Sequence, residues 1–320
     1  MPMRCAILDD YQNVALKLAD WSKITKDVEV KVFNTSIGDA DAVIRTLKDF
    51  EIVVMMRERT PFRRNVIEGL PKLKLLITTG MANRSIDLAA CAERGITVCG
   101  TTSFGNPTTG ITFGLILELT RRIGFENARM KAGEPWQITI GRDIEGMTFG
   151  TLGLGKLGIR AAGVAKAFGL KVIAWSQNLT AEKCREHGVE YASKEDLFRN
   201  SDVLSIHVQL SDRTRGLVAA TELGLMKPSA YLVNTSRGPI VVEQDLLAAL
   251  RDKKIAGAGL DVFDVEPLPV DHPFRKLDNV VLTPHLGYVS QQNYEGYYPN
   301  IVEDIRGFLD GKPVRVIAQK

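Results

Sequence analysis

The chain has 320 residues, 45% hydrophobic and 25% charged. This is the balance of an ordinary globular protein, and at roughly 150 residues per domain it suggests two domains. Forty-one basic against 38 acidic residues leave a formal charge of +3, which argues against a nucleic-acid binder, whose footprint is a marked basic excess. The four cysteines form no C-x-x-C pair and the four histidines are scattered. A metal site or disulfide framework is therefore not expected, and reduced thiols suit a cytoplasmic setting. The start of the chain runs from Met1 to Cys5 straight into Asp9 and Asp10, without signal-peptide character. The longest apolar run, Gly110 to Leu117, is closed by Glu118 and is too short to span a bilayer.

In chain order, the first hundred residues alternate short apolar runs with amphipathic stretches. Ala6 to Leu8, Val28 to Phe33, Ile52 to Met56, Leu73 to Thr78 and Gly95 to Gly100 read as strands. Asp39 to Phe50 and Arg63 to Leu70 read as helices. Such alternation predicts βαβ units and a parallel sheet. Pro107 and Thr108 then open one long predicted helix, Thr109 to Lys131, with an apolar stripe through Ile111, Leu115, Leu119 and Ile123. A loop from Gly133 to Gly146 leads into a second alternating series. Its strands are expected at Phe149 to Leu152, Lys171 to Trp175, Val203 to Val208, Ala230 to Asn234, Ala258 to Val262 and Val280 to Leu282. Helices are expected at Leu157 to Phe168, Glu243 to Leu250 and, last, Ser290 to Leu309, which Gly311 and Pro313 terminate.

The segment Gly153-Leu154-Gly155-Lys156-Leu157-Gly158 follows a strand and opens a helix, the setting a dinucleotide-binding G-x-G-x-x-G requires. Gly153 permits the tight turn, Gly155 leaves room for a pyrophosphate, and Gly158 lets the helix sit close on the strand. The helix N-terminus offers unpaired N–H groups to the phosphates. The next strand ends not in the acidic residue that holds the ribose hydroxyls of NAD but in Ser176-Gln177-Asn178. No carboxylate repels a 2′-phosphate there, so NADP is expected to be tolerated or preferred. NAD could use the same polar side chains.

Three further motifs close predicted strands: Asn234-Thr235-Ser236-Arg237-Gly238, Asp261-Val262-Phe263 with Glu266-Pro267, and Thr283-Pro284-His285-Leu286-Gly287. Ligands of open α/β sheets bind outside the carboxyl ends of strands, so one cleft could gather all three. An imidazole suits proton transfer near neutral pH, a carboxylate favours its charged form and sets its orientation, and a guanidinium binds a carboxylate in a planar fork. Taken singly, Arg237 could be a surface ion pair, Glu266-Pro267 a turn, and His285 a helix cap.

With the glycine loop, these motifs match in order and spacing the D-isomer-specific 2-hydroxyacid dehydrogenases, which the chain resembles over nearly its whole length. The resemblance implies two doubly wound parallel-sheet domains, a flavodoxin-like substrate domain from residues 1–100 plus 289–320 and a Rossmann NAD(P)-binding domain from 101–288. Closure about the two crossings would exclude water. It implies hydride exchange between a nicotinamide cofactor and a 2-oxo or D-2-hydroxy acid, with Arg237 binding the acid, His285 as general acid/base and Glu266 as its partner. Thr108, Lys156, Leu157, Val208, Gln209, Thr235, Asp261 and Gly287 join the glycines as cofactor contacts. Arg57, Met81 and Ala82 become substrate contacts, although Arg57, Glu58 and Arg59 are equally a solvated charge cluster. The family commonly has Pro where Gln209 stands and Glu where Gly110 stands. His207 is read as a packed residue near the cofactor. A homodimer through the cofactor domain is expected, with which the apolar helix Ile111 to Ile123 is compatible, as it is with burial inside the domain. A regulatory NAD(H)-binding corepressor of the same fold is the alternative.

Overall fold

The structure, a computed structural model, describes residues 1–317. Two compact units divide the chain. One contains Met1–Gly105 and the chain from Ser290 on, the other Asn106–Val289.

The first unit holds strands β1 (Met3–Ile7), β2 (Val28–Val32), β3 (Ile52–Met55), β4 (Leu75–Thr78) and β5 (Thr97–Gly100). All neighbours pair in parallel, in the order β2-β1-β3-β4-β5. That is the flavodoxin-like order. Every residue of β3 and β4 is buried, because helices cover both faces of a parallel sheet. Edge strand β2 alternates instead, Val-Glu-Val-Lys-Val. The helix Gln291–Leu309 starts at Ser290, whose hydroxyl accepts from the Asn293 N–H, and buries Tyr294, Tyr297, Tyr298, Ile301 and Ile305. Beyond it the chain returns along β5. Gly100 N–H donates to Arg315 O at 3.0 Å and Ile317 N–H to Val98 O at 2.8 Å. This strap covers a sheet edge that would otherwise present unpaired backbone groups. It is tacked down by Arg315, whose Nε donates to the fully buried Asp304 at 3.0 Å.

The second unit holds β6 (Thr148–Leu152), β7 (Lys171–Trp175), β8 (Glu190–Tyr191), β9 (Val203–Ile206), β10 (Tyr231–Asn234), β11 (Gly257–Leu260) and β12 (Val280–Leu282). Again all pairs are parallel, in the order β12-β11-β10-β9-β6-β7-β8. Read from β8, this is the dinucleotide-binding order with one strand added. Strand β8 is not expected from the sequence. It is two exposed residues at a sheet edge, too short and too polar to carry an apolar period.

The single helix expected over Thr109 to Lys131 is two helices, Pro107–Arg121 and Ile123–Lys131, broken at Arg122 with φ 51°. The Gly124 N–H turns back to the Glu118 carboxylate at 2.6 Å, and the Arg122 guanidinium covers the Phe125 ring. The second helix buries no residue, so no core contact requires the apolar stripe to continue. The first packs Phe113, Leu115 and Ile116 into its own unit. Strand order reverses between β1 and β3 in one unit and between β6 and β9 in the other. Such reversals are where open α/β sheets form ligand crevices.

Candidate active site

At the β6/β9 reversal the glycine turn has the stereochemistry a dinucleotide needs. Gly153 has φ 105°, and a Cβ there would meet Val208 Cγ1 at 2.8 Å and the His207 backbone at 3.0 Å. A Cβ on Gly158 would lie 2.1 Å from Gly153 O, whereas one on Gly155 would meet nothing within 4 Å. Two glycines are thus required by packing, and the third keeps open the space before the helix Lys156–Ala167. A pyrophosphate fits there: the N-terminus of that helix, at Gly155, faces open space. Gly153 N–H donates to Trp175 O at 2.8 Å, so β7 delivers Ser176, Gln177 and Asn178 beside the turn. Ser176 is half-buried and the other two exposed. Lys156 is exposed and Leu157 half-buried at the start of the helix. Ser236 Oγ donates to Val208 O at 2.5 Å, and Thr214 Oγ1 to Gln209 O at 2.6 Å, fixing the chain after β9. His207 lies next to this wall with Nε2 2.9 Å from Ser205 Oγ, and burial pushes its pKa down to about 4. It is a neutral structural group.

The three motifs lie at adjacent strand ends, β10, β11 and β12. His285 Nδ1 stands 2.7 Å from Glu266 Oε2, and Glu266 Oε1 accepts from Phe263 N–H at 2.9 Å. Both carboxylate oxygens are therefore engaged, and the imidazole is oriented by its Nδ1–H. The Tyr288 ring meets His285 edge-on at 5.6 Å between centroids. His285 has φ 53°, a conformation that must be held from outside. Asp261 holds it: its fully buried carboxylate accepts from Thr283 Oγ1 at 2.6 Å, Leu286 N–H at 2.7 Å and Gly287 N–H at 2.8 Å. Burial pushes the Asp261 carboxyl above the ordinary range, and these donors together with His285 pull against that shift. Asp261 thus brackets the histidine loop, a role its sequence context did not signal. Thr108 Oγ1 donates to Gly287 O at 2.6 Å, and the Thr112 and Thr235 hydroxyls are 3.0 Å apart.

Arg237 is half-buried and follows Asn234, whose amide spans the turn by donating to Arg237 O at 2.9 Å and accepting from Ser236 N–H at 3.0 Å. Arg237 Nη1 donates to Ser236 O at 2.7 Å. A Cβ on Gly238 would come within 2.2 Å of Phe263 C, so the arginine turn seats directly on the segment leading to Glu266. Local sequence carries no trace of that contact. The other histidines stand apart: His187 ends the helix Ala181–Glu186, and His272 pairs with Glu243.

In the first unit, the ends of β1, β3 and β4 carry Asp9, Arg57 and the 79–83 loop. Arg57 has φ 52°, its N–H donates to Thr79 Oγ1 at 2.9 Å and its Nη1 to Thr79 O at 3.1 Å. Met81 and Ala82 are exposed. Asp9, also at positive φ, accepts from Thr60 Oγ1 at 2.7 Å. Among the described residues no cluster of His, Cys, Asp or Glu is arranged to hold a metal ion, and no helix is long and apolar enough to cross a membrane.

Two parallel-sheet units, one with a dinucleotide turn beside an Arg, Glu and His set, define the class of nicotinamide-dependent α/β oxidoreductases. Residues 113–287 match the model of the D-isomer specific 2-hydroxyacid dehydrogenase NAD binding domain. The chain is 33% identical over 298 residues to a glyoxylate reductase of Korarchaeum cryptofilum, covering 91% of this chain and 86% of the relative. It is 30% identical to a hydroxypyruvate reductase of Blautia hydrogenotrophica, over 98% and 99% of the two chains. A crystal structure of a phosphoglycerate oxidoreductase from Vibrio cholerae o395 superposes with a TM-score of 0.89 at 36% identity, over 97% of this chain and 99% of that one. The chain belongs to the D-isomer-specific 2-hydroxyacid dehydrogenase family and uses a nicotinamide cofactor.

Proposed function

We propose that this protein interconverts a small 2-oxo acid and its D-2-hydroxy acid, with His285 exchanging the proton, Glu266 orienting it and Arg237 binding the carboxylate. The observation that carries this reading is the 2.7 Å contact of His285 Nδ1 with Glu266 Oε2 at the strand ends of the cofactor-binding unit. A bound nicotinamide supplies the hydride for the carbonyl carbon. With Nδ1 held by Glu266, proton exchange with the carbonyl oxygen falls to Nε2, and the imidazole passes from charged to neutral in reduction and back in oxidation. Arg237 stabilises negative charge developing on that oxygen as well as the carboxylate. Gly153, Gly155, Lys156, Leu157 and Gly158 hold the pyrophosphate. Ser176, Gln177 and Asn178 face the ribose, and Thr108, Val208, Gln209, Thr235, Asp261 and Gly287 complete the cofactor wall. Arg57, Met81 and Ala82, in the other unit, are the candidate substrate contacts that membership of the family implies. The units Met1–Gly105 with the chain from Ser290 on, and Asn106–Val289, serve as substrate and cofactor lobes.

Glyoxylate and hydroxypyruvate are the substrates to test first, since the curated relatives reduce 2-oxo acids of that size by name. NADPH is preferred over NADH. Support comes from the end of β7, where no carboxylate stands against a 2′-phosphate and the three polar side chains have no hydrogen-bond partner among the described residues. A homodimer forms through the cofactor lobe, and its support is that Ile123, Met130, Trp136 and Ile140 of that unit are 55%, 53%, 71% and 101% exposed. Four free, buried cysteines support a cytoplasmic location. The deciding experiment is NADPH- and NADH-linked turnover of both acids by wild type and His285→Ala. Loss of at least 10²-fold in kcat with unchanged cofactor affinity is expected. Full turnover by His285→Ala overturns the assignment, and a large NADH preference overturns the cofactor choice.

A further inference from the structure

Between Phe263 and Lys276 the chain leaves the sheet and returns, carrying Glu266 near its start. Glu266 is held by Phe263 and His285, yet the far end of this loop is tied down elsewhere, by His272. The His272 ring is 12% exposed, and its Nε2 lies 3.2 Å from Oε1 of Glu243, in the first turn of the helix Glu243–Arg251. Its Nδ1 accepts from Phe274 N–H at 3.2 Å and so caps the short turn Pro273–Lys276. That turn reaches back toward Glu266. Arg275 donates through Nε to Pro269 O and through Nη2 to Leu268 O, both at 2.9 Å, and His272 N–H donates to Pro269 O at 3.2 Å. Pro267 and Pro269 stiffen the intervening residues by fixing their φ. These contacts join Glu243, through His272, to the backbone of Leu268 and Pro269, two and three residues beyond Glu266.

Resting on the acid/base reading of Glu266 and His285, we propose that His272 is a positioning residue for Glu266, active only as the neutral imidazole. The pattern on its two nitrogens demands one tautomer, with the proton on Nε2 facing Glu243 and a lone pair on Nδ1 facing Phe274 N–H. Protonation places a second N–H against that backbone donor. The cap is lost, the turn loosens, and Glu266 loses its fixed orientation toward His285. Gain of a proton at Nδ1 is therefore the event that unlatches the loop. The charged groups near it include Glu243 on the facing helix, Asp264, Asp271 and Arg275 on its own loop, and Arg215, which acts on Asp264. Asp264 is itself raised by partial desolvation and by Glu243, and lowered by Arg215 and His272.

The consequence is a limb in the pH profile of reduction that His285 alone does not produce. Reduction needs His285 charged, so without a second group kcat would level off at acid pH. With His272 in control it falls again as acid unlatches the loop. The test compares kcat for glyoxylate reduction with NADPH from pH 5 to 9 in wild type, His272→Gln and His272→Ala, with folding followed by circular dichroism. Gln presents an acceptor to Phe274 and a donor to Glu243 and does not titrate. His272→Gln should keep neutral-pH kcat within about twofold and lose the acid limb. His272→Ala should lose about tenfold in kcat at every pH, with KM unchanged, a fraction of the 10²–10⁴ that acid/base catalysis supplies. If His272→Ala does not fold, the Gln variant alone decides. A wild-type acid limb in His272→Gln, or no acid limb in wild type, overturns the proposal while leaving the His285→Ala result to judge the acid/base reading separately.

Discussion

Two glycines of one helix make opposite predictions when each is replaced by alanine. Gly158 and Gly163 both lie in Lys156–Ala167, so both replacements gain helix propensity worth about 1 kcal/mol. At Gly163 the new methyl meets nothing within 4 Å, and the gain stands. At Gly158 it would lie 2.1 Å from Gly153 O, against the 3.0 Å below which real Cβ contacts essentially do not occur. Both sides of the clash are backbone, so no rotamer change relieves it, and helix and turn must part by about 0.9 Å. Overpacking of this kind costs about 3 kcal/mol, and the propensity gain leaves a net loss of about 2 kcal/mol. In a unit of this size that lowers Tm by roughly 4–8 °C, while Gly163→Ala raises it by roughly 2–4 °C. The same displacement moves the helix amides away from the phosphate position, so Gly158→Ala should weaken NADPH at least tenfold, since misplacement by about 1 Å can cost 10²-fold. Differential scanning calorimetry and a fluorescence titration with NADPH read both effects. Equal Tm shifts in the two variants, or wild-type NADPH affinity in Gly158→Ala, would refute the close-approach argument.

Two further outcomes follow from the geometry. Arg237→Ala should raise KM for the 2-oxo acid and lower kcat together, for a combined loss of about 10²–10³ in kcat/KM; steady-state kinetics with an unchanged KM would remove Arg237 from the acid-binding role. Asp304 is pushed up to about 7 by burial, against the pull of Arg315. Its folded pKa lies above the unfolded value of 3.8, so the folded state binds the extra proton. This contribution to stability is present at low pH and is lost as pH rises toward about 7. Urea unfolding at pH 5 and pH 8 should therefore show a smaller change with pH in Asp304→Asn than in wild type, and an equal change in both would sink the linkage.

The glycine turn was legible because its three roles fall within six residues and a strand and a helix flank it. The Arg, Glu and His motifs were legible because each ends a strand, and strand ends are where a parallel sheet presents side chains to ligands. What could not be read was how these segments grip one another. The Asp261 carboxylate accepts hydrogen bonds from Thr283, Leu286 and Gly287, more than twenty residues on, and nothing beside Asp261 in the chain announces that grip. Gly238 looks like an ordinary glycine after Arg237 until Phe263 is found against it. The break at Arg122 was hidden because the apolar period runs on through Ile123, and only the absence of a core beneath the second helix leaves that period unused.

Order along the chain, the type of the longer regular elements and the chemical inventory were thus properties of the sequence itself. They depend on local periodicity and on residue chemistry, which neighbours in the chain express directly. The pairing of Val98 and Gly100 with the returning tail, the two-residue strand β8, the bracket on the His285 loop and the latch through His272 were decided only by tertiary structure. Each joins backbone or side chains far apart in sequence, and such contacts leave no period in the chain to be read.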